Sequence, residues 1–297
     1  VQSLVGSEMC IRDSNAILPL QLPSTFGFDP FLSHVGKITN KGIELSLNWN
    51  EIISDNLSYS ISTNLAYNQN ELSEISNQFF TNQIGGNINN GQYTKRVSLG
   101  QPLGSFFLYE IDGIDDTGQF VYKDLNNDGD VNEEDRRFFG SFIPSFTSAL
   151  NLKIKYKKFD FNLDTYGSFG NKVYNGKKAQ RFGNENIEQY VFNNRWTSGR
   201  PSNTTSRASN DVPLSSNYFL ESGDFIRINN FTLGYTIDSR KKLNKIRFYM
   251  TAKNPLIFKR FSGFTPELAG DPMGLAGIEL DAYPTLSSYF LGFNILF

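Results

Sequence analysis

The sequence predicts an all-β protein, part of a transmembrane antiparallel β-barrel with about seven strands present. Three observations predict it. Apolar and polar residues alternate with period two in run after run, helical spacing is almost absent, and short connections alternate strictly with long ones.

Residues 1–14 fit no strand pattern and supply the single cysteine, Cys10; they read as a non-native leader, and the fold is reasoned from residue 15 onward. The first run sets Ile43, Leu45, Leu47 and Trp49 against Glu44, Ser46, Asn48 and Asn50. After a short join at Glu51 to Asn56, the second places Leu57, Tyr59, Ile61, Thr63, Leu65 and Tyr67 opposite Ser58, Ser60, Ser62 and Asn64. A long segment rich in Asn, Gly and Ser follows, about 69–140. The third and fourth runs, Phe146 to Tyr156 and Phe159 to Thr165, meet at Lys157 and Lys158, and a second long segment covers about 170–222. The fifth and sixth, Phe231 to Tyr235 and Ile246 to Ala252, are joined near Asp238 to Asn244. A third long segment, about 255–284, leads to the last run, Tyr289, Leu291, Phe293, Ile295 and Phe297.

A soluble sandwich and a membrane barrel both use strands with one apolar face. The loop asymmetry separates them, because it puts every short turn at one end of the sheet and every long loop at the other, as outer-membrane barrels do. Trp49, Tyr156, Phe159, Tyr235, Phe248 and Phe297 gather near the short-turn ends, the position of an interfacial girdle. Seven strands cannot close an even-stranded barrel, so the chain reads as part of a larger one.

Charge and rare residues exclude several functions. With 28 Lys+Arg against 30 Asp+Glu the net charge is −2, which offers no basic footprint for nucleic acid. One cysteine permits no internal disulfide, and no stretch approaches the roughly 18 apolar residues of a spanning helix. His34 stands without a Ser or Cys signature, and no phosphate-cradling glycine loop is present, so no catalysis is expected. The adjacent acids Asp115–Asp116 and Glu133–Glu134 read as solvated turn residues rather than a glycosidase pair. Phe79, Phe80, Tyr174, Tyr190, Phe192 and Trp196 are candidates to stack on sugars or peptides, or to pack the loops.

The most specific motif runs from Asp124 to Asp135. Oxygen-bearing side chains stand at loop positions 1, 3 and 5 (Asp124, Asn126, Asp128), Gly129 supplies the turn at 6, and Asp135 returns a carboxylate at 12. Asp130 would offer its carbonyl and Asn132 would act through water, the donor set of a hard cation such as Ca2+ that orders an external loop. Asp135 in place of Glu is the dockerin-like variant, with a shorter reach.

Several segments, in order, resemble the C-terminal barrel portion of SusC/RagA-like TonB-dependent outer-membrane transporters. They are Asn40 to Glu44, Gly100 to Phe106, Asp112 to Gly129, Gly170 to Asn175, Phe225 to Tyr235, Ser262 to Glu267, and Tyr283–Pro284 before the final strand. The resemblance implies a 22-stranded barrel closed by an N-terminal plug, of which this chain supplies about the last seven strands. It implies import of oligosaccharides or peptides, a SusD-like surface lipoprotein as partner, TonB as the driver, and the outer membrane of a Gram-negative bacterium as the location. It also implies that the final strand ending at Phe297 signals barrel assembly. The other readings are a secreted calcium-dependent β-rich carbohydrate-binding module, which would be soluble, and a passive porin.

Overall fold

The computed structural model describes residues 3–20, 31–75, 84–181, 186–238, 245–280 and 282–296. One antiparallel sheet dominates it. Its eight strands lie side by side in chain order: β1 (Ser3–Leu20), β2 (Phe31–Ser54), β3 (Leu57–Ile75), β4 (Phe146–Tyr156), β5 (Phe159–Phe169), β6 (Phe225–Asp238), β7 (Lys245–Lys259) and β8 (Ser288–Leu296). Seven are the alternating runs. The eighth, β1, comes largely from the leader that the sequence sets apart, and it pairs with β2 from Ser3 opposite Asn48 to Leu20 opposite Phe31. A ladder is made by backbone groups, so a segment without side-chain alternation can still pair at a sheet edge.

Directly opposed residues share a face, so the registers map both surfaces of the wall. One row on the apolar face reads Trp49, Ile61, Leu152, Leu163, Phe231, Ala252, Tyr289; four residues nearer the short turns, Tyr156, Phe159, Tyr235, Phe248 and Phe293 form an unbroken aromatic row. This row contains four of the expected girdle residues, and the Phe159 and Tyr235 rings lie 4.7 Å apart. Phe297 lies outside the described residues. At the other end Tyr67, Phe146 and Phe169 align in a second row. Between the two rows the 11-residue β4 advances about 33 Å along the strand, or about 25 Å along the axis at a barrel's usual tilt, matching the apolar band of outer-membrane barrels.

This apolar face is bare. Leu291 is 85% exposed, Ile43 61% and Phe248 50%, whereas a sandwich would bury such residues against a second sheet. The stacked-sheet geometry behind the soluble module is therefore not adopted.

The opposite face is polar and hydrogen-bonded across strands. Asp164 accepts from Asn151, from Asn162 Nδ2 at 3.0 Å and from Asn230 Nδ2 at 3.3 Å, while Thr232 and Thr251 bond at 2.9 Å. Arg247 clasps Asp160 through Nε at 2.8 Å and Nη2 at 2.5 Å.

The three long segments fold together as a cap over the end away from the short turns. Ile84–Asn87, Tyr93–Arg96, Ser105–Tyr109 and Arg136–Ser141 form a four-stranded sheet. Lys172–Asn175 pairs with Leu220–Ser222 and, in parallel, with Ile278–Glu279. The cap core draws Ile88, Phe106 and Leu108 from the first segment, Tyr174, Ala179 and Phe219 from the second, and Ile278 and Leu280 from the third. The β2–β3 hairpin extends past Tyr67 and supports the cap edge: Leu72 is fully buried, and Leu103 N–H donates to Asn70 Oδ1 at 3.0 Å.

Candidate functional site

A lysine fastens the first and third segments. Lys95 is fully buried, and its Nζ donates to the carbonyls of Pro272 (2.9 Å), Gly274 (3.1 Å) and Ala276 (2.6 Å), with the Phe142 ring centroid 5.0 Å away. Three acceptors match the three donors of an ammonium. Burial pushes Lys95 down to about 7, with Asp271 pulling the other way. Arg136 is a second fastener: Nε donates to Phe107 O at 3.1 Å, Nη2 to Tyr93 O at 2.7 Å, and Nη1 to both oxygens of Glu133 at 3.1 and 2.8 Å.

Glu133 belongs to the cation-type loop, so Arg136 ties that loop to the cap core. Within it, Asp124 accepts from the N–H of Asn127 at 2.6 Å and of Gly129 at 2.8 Å. Asn126 Oδ1 accepts from Asp128 N–H (3.0 Å), and Asp128 Oδ1 from Asp130 N–H (2.8 Å). Asn127 at φ 59° and Gly129 at φ 95° make the tight turn. Asp135 closes the loop by accepting from Leu125 N–H at 2.7 Å and Asn132 N–H at 2.8 Å; these backbone bonds, the Asn132 one foremost, hold its carboxyl below the usual range. Among the described residues no three carboxylate, histidine or cysteine side chains converge, so the candidate ligands Asp124, Asn126, Asp128, Asp130 and Asp135 are strung along the loop.

A cavity of about 570 Å³ opens where the second and third segments meet. Lys177 Nζ sits 2.8 Å from the fully buried Glu279 and 4.2 Å over the Phe264 ring, while Glu221 accepts from Ser262 Oγ at 2.7 Å. Lys177 and Glu279 thus pair with each other and Glu221 holds Ser262, while Glu279 Oε2 is buried without a hydrogen-bond partner among the described residues.

The aromatic candidates divide. Tyr174 is core and fully buried, and burial pushes its phenol up; Tyr190 and Phe192 are 64% and 68% exposed; Trp196 is half-buried with its ring on Gly118. Phe79 and Phe80 lie outside the described residues. Asp115 closes a turn by accepting from Thr117 and Gln119 N–H, both at 2.8 Å, and Glu133 serves Arg136, which accounts for these acids structurally. Sequence reasoning missed Lys95, Arg136, Lys177 and Glu279, because their partners lie far away along the chain.

No family model matches the chain. It is 25% identical to TonB-dependent receptor P3 of Formosa agariphila over 97% of its own length and 31% of that protein, and 28% identical to receptor P26 of the same organism over 96% and 32%. It is 25% identical to TonB-dependent receptor SusC of Bacteroides thetaiotaomicron over 89% of the chain and 27% of SusC. The chain thus spans about a third of these relatives. In fold it is similar to a chain of the RagAB peptide transporter, with a TM-score of 0.83 at 19% identity, covering 99% of this chain and 33% of that one. A second structure, the RagAB peptide importer in its closed-closed state, gives a TM-score of 0.82. Bare apolar wall, polar inner face, folded cap and near-complete alignment agree: the chain is similar to a stretch of a SusC/RagA-like TonB-dependent receptor barrel.

Proposed function

We propose that the chain forms wall and external cap of an active importer in the outer membrane of a Gram-negative bacterium, taking up oligosaccharides or peptides with a SusD-like lipoprotein and TonB. The observation that carries this reading is the bare apolar band between two aromatic rows, backed by a polar face, which suits lipid outside and water inside. Similarity to TonB-dependent receptors supports the TonB-driven reading, and likeness in fold to a chain of a peptide importer supports peptides as one substrate class. The test is deletion of the full-length gene with growth scored on single glycans and peptides. Loss of growth on at least one, reproduced by loss of TonB, is expected; undiminished growth on all refutes import.

We further propose that the Asp124–Asp135 loop takes Ca2+. Its Asx turns already order the backbone through Asn127 and Gly129, and the ion would draw Asp124, Asn126 and Asp128 together beside the closure made by Asp135. Calorimetry on the full-length receptor is expected to show calcium heats that vanish in Asp124→Ala with Asp128→Ala; unchanged heats refute the site.

A further inference from the structure

One wall of the 570 Å³ cavity between the second and third segments is the small sheet of Lys172–Asn175, Leu220–Ser222 and Ile278–Glu279. Its registers set Tyr174, Leu220 and Ile278 on one face, which packs into the cap core. Period two therefore puts Asn175, Glu221 and Glu279 on the other face, and all three line the cavity. Glu221 is saturated: it accepts from Asn175 Nδ2 at 3.1 Å, from Ser262 Oγ at 2.7 Å and from Ser262 N–H at 2.7 Å. Glu279 is the opposite case. It is fully buried, Lys177 Nζ lies 2.8 Å from its Oε1, and its Oε2 accepts no hydrogen bond among the described residues. A cap built for stability alone would place an apolar residue there, because a buried carboxylate with an unmet oxygen is costly.

The rest of the lining says what would meet that oxygen. Lys177 Nζ rests 4.2 Å over the Phe264 ring and has Glu279 as its one ion-pair partner among the described residues, so it keeps donors to spare. Phe264 and Tyr190 are 55% and 64% exposed, which leaves their rings open to a ligand. Lys177, Lys178 and Arg181 balance Glu188, Glu221 and Glu279 around the cavity, which favours a neutral occupant. Such a molecule must bring, side by side, a donor for Oε2 and an acceptor for Nζ, and an apolar face for the rings. Adjacent hydroxyls of a pyranose do this, since each is donor and acceptor and the ring's C–H face is apolar. A free peptide also offers donors and acceptors, but it brings charged termini into a cavity whose charges already balance. The volume falls within the roughly 300–1,000 Å³ of small-ligand sites.

We propose that this cavity binds a neutral pyranose unit of an oligosaccharide, with Glu279 Oε2 and Lys177 Nζ taking adjacent hydroxyls and Phe264 and Tyr190 stacking on the ring. The ammonium of Lys177 swings on its flexible stem to admit the hydroxyl, and the sheet stays in place. The site rests on the importer reading given above and narrows its substrate class. The test is calorimetry on the full-length receptor in detergent with neutral hexasaccharides of glucose, mannose, galactose and xylose, beside a panel of dodecapeptides. At least one hexasaccharide is expected to bind, and to bind about tenfold more weakly or worse in Glu279→Gln and in Phe264→Ala. Phe264 is outside the cap core, so its variant reads the site even where Glu279→Gln disturbs folding. No hexasaccharide bound, or unchanged affinity in Phe264→Ala, overturns the proposal, and so does a dodecapeptide whose binding, in place of a glycan's, is lost in that variant. Glycan binding that depends on Phe264, in a receptor whose deletion leaves growth on that glycan undiminished, would sink import and leave the site standing.

Discussion

Replacing Lys95 with Met tests whether the cap is held by one buried ammonium. Met keeps much of the stem volume against Phe106 and Phe142 but removes all three donors, leaving the carbonyls of Pro272, Gly274 and Ala276 without the partner they share. A hydrogen bond to a charged group is worth about 1.5–3 kcal/mol, and an orphaned buried acceptor costs about 1–3 kcal/mol. Water entering the gap and the relieved desolvation of the charge offset part of this, so a net local loss of about 3 kcal/mol is expected. Hydrogen exchange on the full-length receptor reads it directly. The amides of Gly277 and Ile278, which bond to Leu268 O and Leu275 O, should exchange about two orders of magnitude faster, each 1.36 kcal/mol being tenfold. The pH dependence has a fixed sign. The folded value of about 7 lies below the ordinary 10.5, so the folded cap binds fewer protons between these limits. Lys95 therefore contributes stability that is present above 10.5 and is lost as the pH falls through 7, with a slope of up to about 1.4 kcal/mol per pH unit that the Met variant lacks. Unchanged protection of residues 270–278, or the same slope in both proteins, would refute the reasoning.

Leu152→Lys, on the lipid-facing side midway between the aromatic rows, should cost about 2–4 kcal/mol and deplete folded receptor from the outer membrane. Asn151→Lys, one residue away on the polar face beside Asp164, should be tolerated; heat-modifiability on gels separates the two. Gly118→Ala would drive a Cβ to 2.5 Å from the Trp196 ring at φ 84°, so the cap should lose about 1–3 kcal/mol. Its Trp fluorescence, read in a Trp49→Phe background, should shift toward solvent. Arg136→Met should loosen both the cation-type loop and the strand Tyr93–Arg96, at about 3–5 kcal/mol, seen as new protease cleavage within residues 120–136.

The wall was legible in the sequence because each strand carries one bare apolar face and one polar face, so period two is written into every run between the aromatic rows. Legibility ended where that contrast ended. On β6 the register shifts between Ile228 and Asn230, so the apolar face passes from Ile226 and Ile228 to Phe231 and Leu233, and parity counting begins only at Phe231. Residues 31–42 of β2 lie beyond the Ile43–Tyr67 level and carry no comparable alternation. The cation-type loop was legible as spacing, and its Asx turns fold locally. The cap was not. Its core residues occur singly among Asn and Gly, and Lys95 finds its acceptors more than 170 positions away. No local period encodes such a meeting.

Because the cap core is assembled from all three long segments and cross-fastened by Lys95 and by the parallel pairing of Tyr174 with Ile278, the external surface behaves as a single plate. A pull on any one segment is shared by the other two, and an inserted stretch in one of them must be matched by its neighbours. Diversity in what this plate meets is thereby steered to side chains on its skin, such as Tyr190 and Phe192, and away from its joinery.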